Sequence, residues 1–253
     1  ALYLRKAGIP MKVIILAAGL GSRLKEVTTE FGKAMVSLKN HPLIDYALRF
    51  TENGKKNTKY VVGGFGYEIL KSHLSENDLP NVKLLYNDNY RKGNLLTLKT
   101  AIEEFNDDML IMNVDHVYNP VIYKIIVHNI SGITGIVDSD RQLYSDDMKV
   151  LTDDWGNIVD IDKSLTRYNK GYVGMTTISR ECIPVYLSAV EKVTETIGEN
   201  ANVEAVLRYL SATENKPKTL DISGFGWLEI DTQDELLKAE QALNKEPQRY
   251  PYF

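Results

Sequence analysis

The sequence predicts an α/β fold with a mainly parallel sheet, and three observations predict it. From Met11 onward, short β-branched runs alternate with helix-period stretches, the pattern of strands joined by crossover helices. The apolar run KVIIL (residues 12–16) feeds directly into glycines, as a buried strand does when it delivers a loop to the edge of a sheet. After residue 137 the rhythm changes to strand-like stretches separated by turns, so the second half is expected to be a mixed or antiparallel layer.

In order, residues 12–16 read as a buried strand, and Pro42 opens a helix over residues 43–51, since proline suits the first helical turn. Asn53 and Gly54 end that helix. A strand at 60–62, a helix at 67–74, a strand at 82–86 and a helix at 95–105 follow, and MLIMNV (residues 109–114) reads as a central strand. The second half offers strands at 133–137, 148–151, 158–161 and 172–178, with a turn at Trp155-Gly156-Asn157. Helices at 183–193 and 203–210, a strand at 219–222 and a helix at 234–243 complete the chain. No internal repeat or linker divides it, so one domain with two lobes is expected over residues 11–243. Residues 1–10 are an N-terminal extension set aside, and 244–253 a C-terminal tail.

Composition narrows the function. The 253 residues are 43% hydrophobic and 25% charged, with a formal net charge of -4 and a pI near 5.7. That balance argues against bulk attraction to nucleic acid or anionic membrane, so any anion site must be local. A single cysteine, Cys182, cannot form an internal disulfide, and the four histidines show no zinc-ligand spacing. A reducing cytoplasm is the expected compartment. No run approaches the roughly 18 to 20 apolar residues of a membrane span, and the N-terminus lacks the apolar core of a signal peptide.

Candidate chemistry begins at LAAGLGSRL (residues 16–24). A strand ending in Ala17-Ala18-Gly19-Leu20-Gly21-Ser22-Arg23 exposes main-chain N–H groups where α/β folds bind ligands, and the glycines let that backbone approach a phosphate. A flexible strand-to-helix turn is the plainer reading of two glycines. The segment is not a P-loop, because no Gly-Lys-Ser/Thr ends it, nor a dinucleotide fingerprint, because Leu24 stands where the third glycine belongs. Arg23 and Lys33 add two cations suited to a polyphosphate.

Asp115 follows the apolar run ending at Val114, so its carboxylate emerges at the same sheet edge and suits a metal ligand; a turn former is the plainer alternative. In WLEIDT (residues 227–232), Glu229 and Asp231 share one strand face by period 2. Thr232 and Glu235 have capping-box spacing, which frees Asp231 from capping. Gly93 and Asn94, in YRKGNLLTL (residues 90–98), read either as a base-recognition loop or as a helix start with Asn94 as N-cap. Lys149 lies on the opposite strand face from its apolar neighbours, as an edge lysine or a ligand contact.

LAAGLGSRL, then Gly32-Lys33-Ala34-Met35, then Pro42-Leu43-Ile44 resemble the signature of the nucleotidylyltransferases that activate sugar and alcohol phosphates. Gly32 departs from the proline usual before that lysine. The resemblance covers residues 11–243 and implies a Rossmann-like three-layer α/β/α nucleotidyltransferase fold with a mixed central sheet and a smaller acceptor-binding lobe. The nucleotide part would span about 11–130 and the acceptor part about 131–230. It further implies that Leu16, Ala17, Ala18 and Gly19 frame base and ribose, with Gly93 and Asn94 near the base. Gly21, Ser22, Arg23 and Lys33 would meet the phosphates, and Asp115 and Asp231 would hold Mg²⁺ with Glu229 beside them. Lys149, in DMKV (residues 147–150), would meet the acceptor phosphate, and Gly174, in GYVGM (residues 171–175), would line the acceptor pocket, although Tyr172 and Met175 read equally as core.

Asp115-His116-Val117-Tyr118, DMKV and WLEIDT are similar to the branch that transfers cytidylyl groups from CTP to inositol 1-phosphate. The expected partners are therefore CTP and a phosphorylated small molecule, with a homodimer possible. Choline phosphate or a sugar 1-phosphate is the alternative acceptor. A silent nucleotide sensor would have lost the cations or the acids, and a glycosyltransferase would more typically carry Asp-x-Asp where this chain has Asp115-His116-Val117.

Overall fold

The computed structural model describes residues 11–27, 31–52, 57–77, 79 and 81–253. The extension at residues 1–10 and the helix stop at Asn53 and Gly54 lie outside the described residues. The strands in chain order are β1 (Lys12–Ala17), β2 (Ser37–Leu38), β3 (His41–Pro42), β4 (Thr58–Gly63), β5 (Val82–Tyr86), β6 (Met109–Asn113), β7 (His116–Tyr118), β8 (Ile133–Asp138), β9 (Lys149–Thr152), β10 (Ile158–Asp162), β11 (Lys170–Ile178), β12 (Lys218–Asp221) and β13 (Trp227–Glu229). The α-helices are α1 (Leu43–Phe50), α2 (Tyr67–Glu76), α3 (Asn94–Lys99), α4 (Pro120–His128), α5 (Ile183–Ile197), α6 (Glu204–Ser211) and α7 (Gln233–Lys245).

β1 is central because both its faces are apolar. Val13, Ile15 and Ala17 enter one core, with Leu70 of α2, Ile122 and Ile126 of α4 and Leu243 of α7. Ile14 and Leu16 enter a second core, with Leu95 and Leu98 of α3, Val190 of α5 and Leu207 of α6. Period-2 alternation thus feeds two helical layers, the predicted three-layer α/β/α arrangement. β4 and β6 flank β1 in parallel and β5 extends the sheet beyond β4. Helix starts follow local chemistry: Asn119 caps α4 ahead of Pro120, and Thr232 and Glu235 form the expected capping box on α7.

The second half is a mixed layer, as expected, antiparallel except for β12, which runs parallel to β8. β11 pairs with β6 over Met175–Ile178 and with β9 over Lys170 and Gly171, while its other edge carries β8, and β8 carries β12. Between the two pairings Gly174 takes φ +75°, so a cleft opens where β6 has ended and β9 has begun. The predicted helix at 95–105 is shorter. It stops after Lys99 and resumes as a 3-10 turn (Ile102–Glu104), with the Thr100 hydroxyl donating to Leu96 O at 3.0 Å in competition with the helix ladder. The stretch set apart as a tail is packed as well: Tyr250 and Tyr252 join the first core, and the Tyr252 hydroxyl donates to Tyr118 O at 2.6 Å.

Candidate active site

The chain leaves β1 toward β4 on one side and returns to β1's other side at β6, so the loops after β1 and β6 meet at a topological switch point, where open α/β sheets bind ligands. Leu16, Ala18 and Gly19 line a cavity of about 140 Å³ there, facing Tyr90, Asn94, Thr97 and Asn113. Ala17, expected to frame the nucleoside, instead points into the core, the consequence of alternation along β1. Gly21 takes φ +66° and turns the chain into a 3-10 turn (Ser22–Val27), on which Ser22 is exposed; neither residue lines the cavity.

Gly32 has φ -66° and ψ 171°, a backbone that proline would also adopt. A Cβ there, however, would come within 2.4 Å of Phe65 O, so the close approach of residues 64–66 requires the glycine. Gly93 is required for a similar reason. Its Cβ would meet Ala201 O at 2.1 Å, and it lines neither this cavity nor the cleft beside it. Asn94 is not the N-cap, a position Gly93 holds; the Asn94 side chain accepts from Val203 N–H at 2.8 Å and ties α3 to the start of α6.

Lys33 carries the centre of the site. Its buried ammonium lies 2.5 Å from Asp115 Oδ2 and also pairs with Asp231 Oδ1. The two acids, distant in sequence, meet because β7 and β13 form an antiparallel ribbon in which Glu229 opposes His116 and Ile230 N–H donates to Asp115 O at 2.9 Å. Arg23 reaches across from the glycine loop and pairs with Asp231 and with Asp146. Burial alone would raise the Asp115 pKa, but the Lys33 ammonium and His116 outweigh it and hold the carboxyl well below the usual range. His116 shows the converse: burial lowers its pKa, and the Asp115 charge more than restores it, for a net rise.

Two carboxylates converge on one cation position, and among the described residues no group of three or more His, Cys, Asp or Glu side chains is arranged to hold a metal by itself, so the pair fits an ion that draws most of its ligands from elsewhere, as Mg²⁺ does. That ion takes one or two carboxylates and completes its shell with phosphate oxygens and water. Glu229 stands beside the pair, its Oε1 3.9 Å from His116 Nε2. His116 is fixed by its 2.5 Å contact with Asp115 Oδ1 and by stacking on Trp227.

The cleft of about 190 Å³ continues from these groups to Asp146, Asp147, Lys163, Tyr172, Gly174, Asn202 and Glu204. Gly174 lies where expected, and a Cβ on it would come within 2.9 Å of His116 Cε1. Tyr172 both lines the cleft and packs in the second core, whereas Met175 is wholly core. Lys149 is the clear correction. Its ammonium is buried and donates to Lys163 O at 2.7 Å, Ser145 O at 3.3 Å and Asp147 O at 3.4 Å, and it does not line the cleft. Alternation did place it opposite its apolar neighbours, but the loops 145–147 and 163 fold over that face.

Sequence reasoning missed Lys163, Asp146 and Glu204. Lys163 stands just past the end of β10 and pairs with Asp146 at 3.0 Å; nothing in the local pattern sets it apart from a solvated turn lysine. Glu204 reads as an ordinary acid in a first helical turn. The available signal was its face: with Leu207 and Ser211 it lies on the buried side of α6.

The chain is similar to several known proteins. A CTP:phosphoglutamine cytidylyltransferase of Campylobacter jejuni is 27% identical over 250 residues, 89% of this chain and 98% of that protein. A bifunctional IPC transferase and DIPP synthase of Rubrobacter xylanophilus is 25% identical over 90% of this chain, which matches 51% of that longer protein. The inositol-1-phosphate CTP transferase of T. maritima superposes with a TM-score of 0.79 at 22% identity, covering 95% of this chain and 97% of that one, a likeness of fold. No described helix is long and apolar enough to cross a membrane. The MobA-like NTP transferase domain matches residues 13–143, the half that holds the glycine loop, Lys33 and Asp115, and the chain belongs to that nucleotidyltransferase family.

Proposed function

We propose that this protein transfers CMP from CTP to inositol 1-phosphate, giving CDP-inositol and pyrophosphate, with Mg²⁺ held by Asp115 and Asp231. The observation that carries the reading is the meeting of these two acids on the Lys33 ammonium, between the switch-point cavity and the cleft. Asn94, Asn113 and Asp115 line both spaces, so a triphosphate in one can face an acceptor in the other.

An oxygen of the acceptor phosphate attacks the α-phosphorus as the bond to the β-phosphate oxygen breaks and pyrophosphate leaves. The attacking oxygen is already anionic, so no general base is needed, and the task is to bring two anions together and offset their charge. Mg²⁺, when bound, supplies Lewis-acid neutralisation of phosphate oxygens. Lys33 and Arg23 exchange their carboxylate partners for phosphate oxygens, and Lys163 is the cation on the acceptor side.

The trimethylammonium head of choline phosphate needs an aromatic or acidic cage. Of the aromatic rings at the cleft, Trp227 already carries the Arg141 guanidinium at 3.9 Å and the stacked His116 ring. Phosphoglutamine is the second reading, favoured by the near full-length match to the Campylobacter enzyme. The test is pyrophosphate release from a matrix of nucleoside triphosphates and phosphorylated acceptors, with products identified by mass. CDP-inositol from CTP and inositol 1-phosphate is expected. Release with choline phosphate alone rejects the acceptor, and no release with any pair rejects the enzyme.

A further inference from the structure

The cleft holds a carboxylate that the transfer chemistry does not use. Glu204 opens α6 and is only 8% exposed, yet it lines the cleft beside Asn202 and Tyr172. Among the described residues no side chain hydrogen-bonds it; its carboxylate accepts from its own main-chain N–H. The phenol of Tyr172 is committed to Thr176 Oγ1 at 2.8 Å. Burial pushes the Glu204 pKa up, with the Lys163 charge only partly opposing it. Its neighbours on the buried side of the helix are Leu207 and Ser211, flanked by Val206 and Leu210, and an apolar residue at 204 would extend that side. A buried carboxylate whose hydrogen bond is to its own main-chain N–H alone is costly, and the fold gives no reason for one here.

We infer that Glu204 reads the head of the acceptor, accepting hydrogen bonds from neutral donors, a hydroxyl or an amide N–H, on the part of the molecule remote from its phosphate. A carboxylate has two oxygens and several lone pairs, so it can take two neighbouring donors at once. Inositol 1-phosphate offers ring hydroxyls and phosphoglutamine offers amide N–H. Choline phosphate offers no donor. The inference rests on the proposed transfer reaction and assigns the selectivity of its second substrate to one residue.

The test is steady-state kinetics of the wild type, Glu204→Gln and Glu204→Met with CTP against inositol 1-phosphate, phosphoglutamine and choline phosphate, together with thermal midpoints. Glu204→Gln is expected to raise the acceptor KM at least tenfold while leaving the KM for CTP within twofold, and neither variant melts below the wild type. An unchanged acceptor KM overturns the assignment. So does a parallel rise in both KM values with a lower melting point, which would mark a structural role, and so does a wild-type preference for choline phosphate. If the wild type uses phosphoglutamine rather than inositol 1-phosphate, the proposed acceptor fails and the same kinetic criteria are applied with phosphoglutamine. If it turns over no acceptor, the proposed reaction fails. The midpoints then decide: a rise in both variants supports a carboxylate kept for a ligand, and a fall in both overturns it.

Discussion

The two halves of this molecule place their cavity-lining groups by different means. In the first half, Leu16, Ala18, Gly19 and Asp115 sit at or just beyond the ends of parallel strands, where chain direction alone carries them to the switch point, and Lys33, on a short 3-10 turn, is tied there by its main-chain N–H, which donates to Gly19 O at 3.1 Å. In the second, Lys163, Asp146 and Glu204 come from a turn, a loop and a helix start, gathered by the antiparallel pairing of β8 to β11 and the break at Gly174. Parallel strands deliver groups locally, whereas antiparallel register delivers them from positions with no common motif.

The sharpest way to break this comparison is to remove the shared centre. Lys33→Ala and Asp115→Ala are expected to lower kcat on the order of 10² to 10³ or more, the usual cost of one preorganised electrostatic group. Pyrophosphate release measures it, and near-normal turnover of either variant would remove that residue from the site. Chelation of divalent cations is expected to abolish turnover, with recovery on adding Mg²⁺.

Gly174→Ala probes the hinge between the halves. A side chain at φ +75° is strained and its Cβ would press on His116, so a loss of about 1–3 kcal/mol is expected in urea unfolding. A higher acceptor KM should accompany it. An unchanged unfolding midpoint would mean that the strand tolerates a side chain at this break.

Lys149→Ala separates scaffold from chemistry. Three main-chain carbonyls lose a charged donor, so stability should fall by about 1–3 kcal/mol while kcat falls far less than in Lys33→Ala. A loss of kcat as large as that of Lys33→Ala, without loss of stability, would return Lys149 to the acceptor site.

The smallest expected effect lies in the second half's strand pairing. Burial opposes ionisation of Asp221, but Lys170 and Ser223 hold its carboxyl down at about 2 from 3.8. A depressed folded pKa stabilises above the unfolded value, so this contribution is complete above about pH 4 and is lost as pH falls toward 2. Being partly exposed, it is worth about 1 kcal/mol, and Lys170→Met should flatten the acid limb of the unfolding curve by that amount. An unaltered acid limb would show the pair to be energetically silent.

Much of the first half was legible because its signals are local. The apolar run into the glycine loop and the emergence of Asp115 at a strand end each depend on a few neighbouring residues, as does the capping box at Thr232 and Glu235 beyond that half. That Asp231 would meet Asp115 followed from resemblance; its physical cause, the β7–β13 ribbon, depends on a long-range pairing with no local mark. Lys149 failed for a related reason. Alternation gives the face on which a side chain lies, but not what folds over that face, and loops from residues 145–147 and 163 cover it. Gly32 is the reverse case: its departure from proline looked like a local change and proves to be a contact with Phe65 O.

The central claim is that Asp115 and Asp231, joined through Lys33 in the resting site, hold the metal for CMP transfer. Its most direct test is formation of CDP-inositol from CTP and inositol 1-phosphate as Mg²⁺ is titrated, comparing the wild type with Asp231→Asn. The account predicts product formation that requires Mg²⁺ in the wild type, and a variant that needs far more metal and turns over at least 10²-fold more slowly. Equal rates and equal metal dependence in the two proteins would contradict it.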